Sequence, residues 1–429
     1  MKKLFNYFLI TPTEYTIGNA SEDIFYAILY TLRKENKLLI LYRKPTFLRW
    51  FFNKYVNLKK ITNTEIFQLT STDSIIINNS KKYIFIFSYI LDTYYLFIYL
   101  LNKTIIRFIN FYLKKLGFKI INISNIPIYN RKYIYNINND KNFYKNNLNN
   151  QRWDYFLNIE FNLQIRNESK GDAILSEMGL TKSDWFVCVH VRELGFHSDT
   201  TFEGSYRCAN INSYDLAFDY IEKMGGYIIR MGDPSMKNIN STIKLIDYAN
   251  SKYKSDFMDL YLIKNCKYYI GMDSGIYDTA ILFQKPVLLA NITCLWFATP
   301  LKRNDLYIIK HIYSKRLKRQ FSISEILDLP FDVCFHFYND LTYNDSDYLF
   351  IDNSDIDILN LLVEKINMSN NYKYTELQIS FLEKRQKQIL KWVKEEKLFK
   401  EDVTLAYRFA IRIYYQGVLS NNFLQKYWK

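Results

Sequence analysis

Apolar and polar positions follow two rhythms along this chain, one of period two or continuous and one near 3.6, and together they predict an α/β protein. Near the start, Tyr15 to Gly18 reads as the end of a strand, and Gly18, Asn19 and Ala20 read as a turn. Ser21 then caps a helix whose first turn carries Glu22 and Asp23, where carboxylates suit the positive end of the helix dipole. Ile24, Ala27, Ile28 and Leu32 recur at helical spacing, and Leu38 to Tyr42 follows as a buried strand. A β-turn-α-β order of this kind opens a doubly wound domain.

The alternation returns in the second half. Trp185 to Val191 is a continuous apolar strand of the sort buried on both faces. Ser213 to Met224 predicts a helix, Gly226 to Met231 a strand, and Ile243 to Asn265 a largely helical stretch. Lys267 to Ile270 predicts a strand, followed by a turn, a helix over Ile276 to Phe283, and a strand over Val287 to Ala290. From Asp352 the rhythm is mostly helical, with a charged stretch near Lys384 to Lys400 and apolar faces at Trp392, Val393, Phe409 and Ile413. Asn136 to Gln151 is rich in Asn and Lys without an apolar period, and reads as a linker. The expected division is a first α/β domain over 1–150, a second over 151–350, and a helical tail over 351–429 that packs back on the first domain.

Segment 83–115 breaks the pattern. Tyr83 to Leu101 is almost wholly apolar and aromatic for about the length that spans a bilayer, yet Ser88 and Asp92 sit in its middle. A carboxylate at that depth costs about 2.5–3.5 kcal/mol. Next come Lys103, Arg107, Lys114 and Lys115 around Ile105, Ile106, Phe108 and Phe111, a basic amphipathic pattern suited to an anionic membrane surface. Contact with the membrane surface is the first expectation; a buried helical hairpin and a true span are the alternatives.

Composition narrows the partners. The 429 residues are 49% apolar, which excludes a disordered chain. A formal charge of +14 favours anionic partners: phosphorylated substrates, acidic lipid or nucleic acid. No nucleic-acid recognition module or tight basic stripe appears, so nucleic acid is not an expected partner. The five cysteines are scattered with no CxxC pair, which indicates neither a disulfide framework nor a zinc site. The N-terminus lacks the long apolar core and cleavage site of a signal peptide, and the expected location is cytoplasmic, at the inner face of the plasma membrane.

Candidate chemistry clusters after strand ends, where open α/β sheets bind ligands. His190 and Arg192 share one side of an extended backbone at the end of the Trp185 to Val191 strand, with Glu193 next to them. A guanidinium there suits a diphosphate, because it is always charged and bonds bidentately. Surface pairing of Arg192 with Glu193 or Asp199 is the bland alternative. The run Gly271-Met272-Asp273-Ser274-Gly275 is a strand-turn-helix junction whose amides can hold an anion. Asp259 lies on the preceding helix, within reach of a nucleoside or paired with Lys252 or Lys254. Arg207 and Arg230 add cations after other strand ends. Glu193, Asp199 and Glu203 are candidate bases by position, and a base from the first domain is equally open. Asp355 and Asp357 form an Asp-x-Asp pair outside this crevice, so no metal cofactor is expected.

The series VCVHVRELGFHSD, SYRCANINSYDLAFDYI, IIRMGDPSM, DYANSKYKSDFMDLYLIKNCKYYIGMDSG and KPVLLAN, with LQISFLEKR in the tail, resembles a family of bacterial glycosyltransferases of surface-polysaccharide gene clusters. The resemblance covers roughly 180–385 and implies a GT-B fold, with two Rossmann-like domains facing a cleft. It implies transfer of a sugar from a nucleotide-sugar donor to a growing surface glycan, such as lipopolysaccharide, without a metal. More remotely, the His-x-Arg strand is similar to fucosyltransferases that use GDP-fucose. That similarity implies Arg192 at the β-phosphate, His190 near the base, Asp259 at base or ribose, and Ser274 and Gly275 at the diphosphate. Glu193 stands where many of those enzymes carry a second arginine, so the donor is left open. A sugar-nucleotide epimerase of the same fold and a non-catalytic glycan-assembly scaffold are the alternatives.

Overall fold

The computed structural model describes residues 7–10, 17–34, 37–40, 63–71, 107–115, 160–193, 205–239, 245–293, 295–296, 302, 304–334, 347–368, 372–395 and 417–429, with scattered positions between 89 and 105. These divide into two units, 1–144 with 161–166, and 145–160 with 167–429.

In the first unit, β1 (Tyr7–Ile10) and β2 (Lys37–Ile40) pair in parallel, with α1 (Ile17–Lys34) between them in sequence. The β-α-β opening is therefore present, but its boundaries differ from expectation. The helix starts at Ile17, so Gly18, Asn19 and Ala20 lie inside it rather than in a turn. The Ser21 hydroxyl donates to the Ile17 carbonyl at 2.9 Å, a bond within the helix and not a cap. The cause is burial: Ala20, Ile24, Ala27 and Ile28 are buried, and so are Ser21, Glu22, Asp23 and Phe25 between them, so the helix is covered on more than one side and extends backwards against the turn preference of Gly-Asn. Further along, β3 (Thr70–Ser71) pairs antiparallel with β4 (Leu163–Gln164), above buried Ile66, Phe67 and Leu69. The helix α2 (Arg107–Lys115) falls in the basic amphipathic segment. Among the described residues, no helix is long and apolar enough to cross a membrane.

The second unit is doubly wound. After α3 (Glu168–Glu177) come β5 (Phe186–His190), α4 (Asp215–Lys223), β6 (Tyr227–Arg230), β7 (Leu245–Ile246), α5 (Asp256–Asn265), β8 (Tyr268–Gly271), α6 (Gly275–Leu282), β9 (Val287–Ile292) and β10 (Leu306–Ile309). Strands β5, β6, β8 and β9 lie close to their predicted positions, because Val187, Cys188, Val189, Ile228, Ile229 and Leu288 are buried on both faces of the sheet; β7 and β10 were not predicted. The stretch 243–265 is not one helix. It breaks into β7, a 3-10 turn over Tyr248–Asn250, and α5, which Ser255 caps by accepting from the Met258 amide at 3.3 Å. Asp247, Asn250, Ser251 and Ser255 offer the backbone local alternatives to helical bonding.

Beyond β10, the strands β11 (His311–Ser314), β12 (Arg319–Gln320) and, after α7 (Ile323–Asp328), β13 (Tyr348–Ile351) make an antiparallel sheet. The chain closes with α8 (Asp355–Asn367), α9 (Glu376–Lys394), β14 (Val418–Leu419) and α10 (Asn421–Tyr427). The described residues of the tail lie in the second unit. Val418 pairs with Leu306, so β14 covers the edge of β10 and satisfies its backbone groups. The full parallel order is β14-β10-β9-β8-β5-β6-β7. Ser420 donates to Glu364 at 2.6 Å, Tyr427 donates to Asp357 at 3.1 Å, and the ring of Trp392 packs at 4.5 Å from that of Trp296. Val393 has no described surroundings, and Phe409 and Ile413, like the predicted linker 136–151, lie outside the described residues.

Candidate functional site

The strand order creates the site. From β5 the chain moves outward through β6 to β7, then returns to β8 on the opposite side of β5. The carboxyl ends of β5 and β8 therefore form a topological switch point, the place where such sheets open a crevice. His190 sits opposite Gly271 across this pair. Gly271 is required by the approach of the two strands, since a Cβ there would lie 2.7 Å from the His190 carbonyl oxygen.

Two strands thus bring residues far apart in sequence together. The His190 Nδ1 and the Ser274 hydroxyl lie 2.9 Å apart. Burial, reinforced by the charges of Arg192, Arg230 and Lys254, depresses the His190 pKa to about 4, so the ring is neutral at pH 7. Ser274 is the N-cap of α6, and its side chain makes no cap bond to that helix but lies at His190 instead, beside the positive end of the helix dipole.

Arg192 follows β5 by two residues. Its amide donates to the Met272 sulfur at 3.1 Å, and its carbonyl accepts from Ala209 at 3.1 Å, which pins its backbone between two walls. Its guanidinium is half-buried, and among the described residues it donates no hydrogen bond and forms no ion pair. Desolvation and then the nearby Arg207 charge lower its pKa, opposed by Asp273. Arg207 is anchored on the same turn: it donates to the Asp273 carbonyl at 2.6 Å and its Nε lies 3.4 Å from the Asp273 carboxylate. That carboxylate is buried, and its Oδ1 accepts no hydrogen bond. The cluster of Arg192, Arg207 and Asp273 carries net positive charge beside the helix start, a setting for an anion.

Arg230 and Glu193 are brought to each other. Arg230, wholly buried, donates to Glu193 at 2.7 Å, to both oxygens of Asp247 at 3.1 Å, and to the Lys237 carbonyl at 2.7 Å. Glu193 also accepts from the Lys237 amide at 3.2 Å. These bonds hold the loop after β6 against the end of β5.

Asp259 is buried, not solvated. It accepts from Tyr248 at 2.8 Å and from Lys254 at 2.5 and 2.6 Å, while burial raises its pKa against the pull of Lys254. Gly275 is exposed at the helix start. Asp199 and Glu203 lie outside the described residues. In the Asp-x-Asp pair, Asp357 is engaged by Ser354, Lys426 and Tyr427.

Two contributors escaped sequence reading. Lys310 is buried, donates to the Cys208 carbonyl at 2.6 Å and pairs with Asp352 at 2.7 Å, so it ties the segment carrying Arg207 to the sheet. Its signal was a lysine directly after the apolar run Leu306 to Ile309. Thr293, at the end of β9, donates to Asp273 at 3.4 Å and had no signal of its own.

No protein-family model matches the chain, and none of the curated proteins matches it in sequence. In structure it is similar to the crystal structure of the glycosyl transferase family 9 protein from Veillonella parvula DSM 2008, at a TM-score of 0.32 and 12% identity, over 66% of this chain and 80% of that one.

Proposed function

We propose that this chain is a glycosyltransferase whose second unit holds the diphosphate of a nucleotide sugar at the β5–β8 switch point. The observation that carries the reading is the Arg192 guanidinium: charged, half-buried, and without an ion-pair partner among the described residues, beside a second arginine and the start of α6. A desolvated cation without a counter-ion is unfavourable unless a ligand supplies the anion.

In this reading the bond between the anomeric carbon and the β-phosphate oxygen breaks, and its electron pair stays on the phosphate. Arg192, Arg207 and the α6 amides stabilise that growing charge, a job worth about 2.7–4 kcal/mol for each well-placed donor. The acceptor hydroxyl of a surface glycan forms the new bond and loses its proton to a carboxylate. Neutral His190 orients Ser274 beside the phosphates, and the open Oδ1 of Asp273 accepts from a sugar or ribose hydroxyl. Glu193 and Arg230 act as positioning residues through their mutual pair. Fixed cations fill the role of a metal, so transfer persists in EDTA; a strict divalent requirement in turnover assays counts against this.

The deciding experiment is a thermal-shift screen against GDP-, UDP- and dTDP-sugars, with CMP-sugars, which carry a single phosphate, as the control. One class is expected to raise the melting temperature, since saturation at a hundred times Kd stabilises by about 2.7 kcal/mol. The shift disappears in Arg192→Ala. An undiminished shift in that variant removes the diphosphate role.

A further inference from the structure

The first unit exposes an aromatic face that the transferase reading does not use. On α2, Phe108 and Phe111 are 65% and 56% exposed, with Tyr112 on the same helix and Ile105 just before it also open to solvent. Phe108 and Tyr112 pack with ring centres 5.0 Å apart, and Phe111 and Tyr112 at 5.5 Å, so the rings form one patch rather than scattered side chains. Lys115 lies over the Phe111 ring at 4.7 Å. Among the described residues, neither Arg107 nor Lys115 forms an ion pair, and both are exposed. A soluble surface rarely gathers large apolar side chains this way without a partner.

Charge decides which partner. Between Asp92 and Asp140 the sequence has no acidic residue, while Lys103, Arg107, Lys114, Lys115 and Lys119 fall in or beside this helix. An apolar protein groove would leave those cations unpaired. A second copy would bring like charges together. An anionic bilayer answers both features: rings enter the acyl boundary and cations meet the headgroups. The nine residues of α2 are too short to span, so the helix lies in the interface plane.

We propose that α2 is an in-plane anchor that docks the protein on a bilayer containing anionic lipid through Phe108, Phe111 and Tyr112, with Arg107 and Lys115 at the headgroups. The proposal stands apart from the transferase reading, because its test needs neither donor nor turnover.

The test is co-flotation of the full chain with phosphatidylcholine vesicles that contain or lack phosphatidylglycerol. The protein is expected to float with the anionic vesicles and to sediment with the neutral ones. The double variant Arg107→Gln/Lys115→Gln should partition about thirty-fold more weakly, as two headgroup contacts are lost. Phe108→Ser/Phe111→Ser should stay in the soluble fraction with unchanged circular dichroism; if it misfolds, the charge variant decides. No flotation with anionic vesicles overturns the proposal, as does flotation that neither variant weakens. A concentration-dependent dimer that the Phe108→Ser/Phe111→Ser variant abolishes, without vesicle binding, assigns the patch to self-association and overturns it too.

Discussion

Arg192 and Arg230 occupy the same kind of place, just after or at the end of neighbouring parallel strands, and the fold treats them in opposite ways. Arg230 is wholly buried against two carboxylates, Glu193 and Asp247. Arg192 keeps its charge half-buried with no carboxylate bonded to it among the described residues. A buried cation that already has its counter-ions is accounted for by the fold, whereas one without them suits the phosphate-binding role proposed for Arg192. The contrast also shows how the second is kept available. Glu193 adjoins Arg192 in sequence, yet it turns to Arg230 at 2.7 Å and to the Lys237 amide, so the carboxylate next to Arg192 in sequence is engaged elsewhere.

The comparison breaks most sharply under substitution. Arg230→Ala leaves two partly buried carboxylates facing each other, and should destabilise the fold by about 3–5 kcal/mol in urea unfolding. Arg192→Ala should lower kcat about a hundred- to a thousand-fold while moving the melting temperature by no more than about 2 °C. If Arg192→Ala unfolded the protein and Arg230→Ala did not, the assignment of roles would be reversed.

Next in size is His190. Its folded pKa of about 4 lies below the ordinary 6.5, so the unfolded chain binds the extra proton between those values. Stability from this group is therefore complete above 6.5 and lost as pH falls to about 4, a change of up to roughly 3 kcal/mol. His190→Gln should flatten that part of the stability–pH curve, and an unchanged slope would show that the ring is not held neutral. Smallest is Gly271→Ala, whose new methyl meets the His190 carbonyl and should cost about 1–3 kcal/mol with some loss of donor affinity. Wild-type behaviour there would mean the β5–β8 junction is slacker than its geometry implies.

Much of the second unit was legible beforehand. Runs such as Val187 to Val189, and Ile228 with Ile229, are apolar and buried at every position, as a strand covered on both faces requires. Ser274 and the turn after β8 were also legible, since a small-residue turn between an apolar strand and a helix is a local signal. In 243–265 the helical content was legible, but β7 and the breaks were not, because its apolar residues fit helical spacing throughout and the breaks depend on side chains that cap turns. The pairing of β14 was not legible for a different reason: nothing in Val418 and Leu419 states which sheet edge they will cover.

By itself the sequence determined an α/β chain with buried parallel strands in the second half and cationic groups just past their ends, because burial period and strand termination are local properties. Only the tertiary structure decided which cations are neutralised and which stay open. Arg230 meets partners 17 and 37 residues away, and His190 meets Ser274 across 84. Electrostatic pairing follows distance in space, and that distance exists only once the strand order has been set.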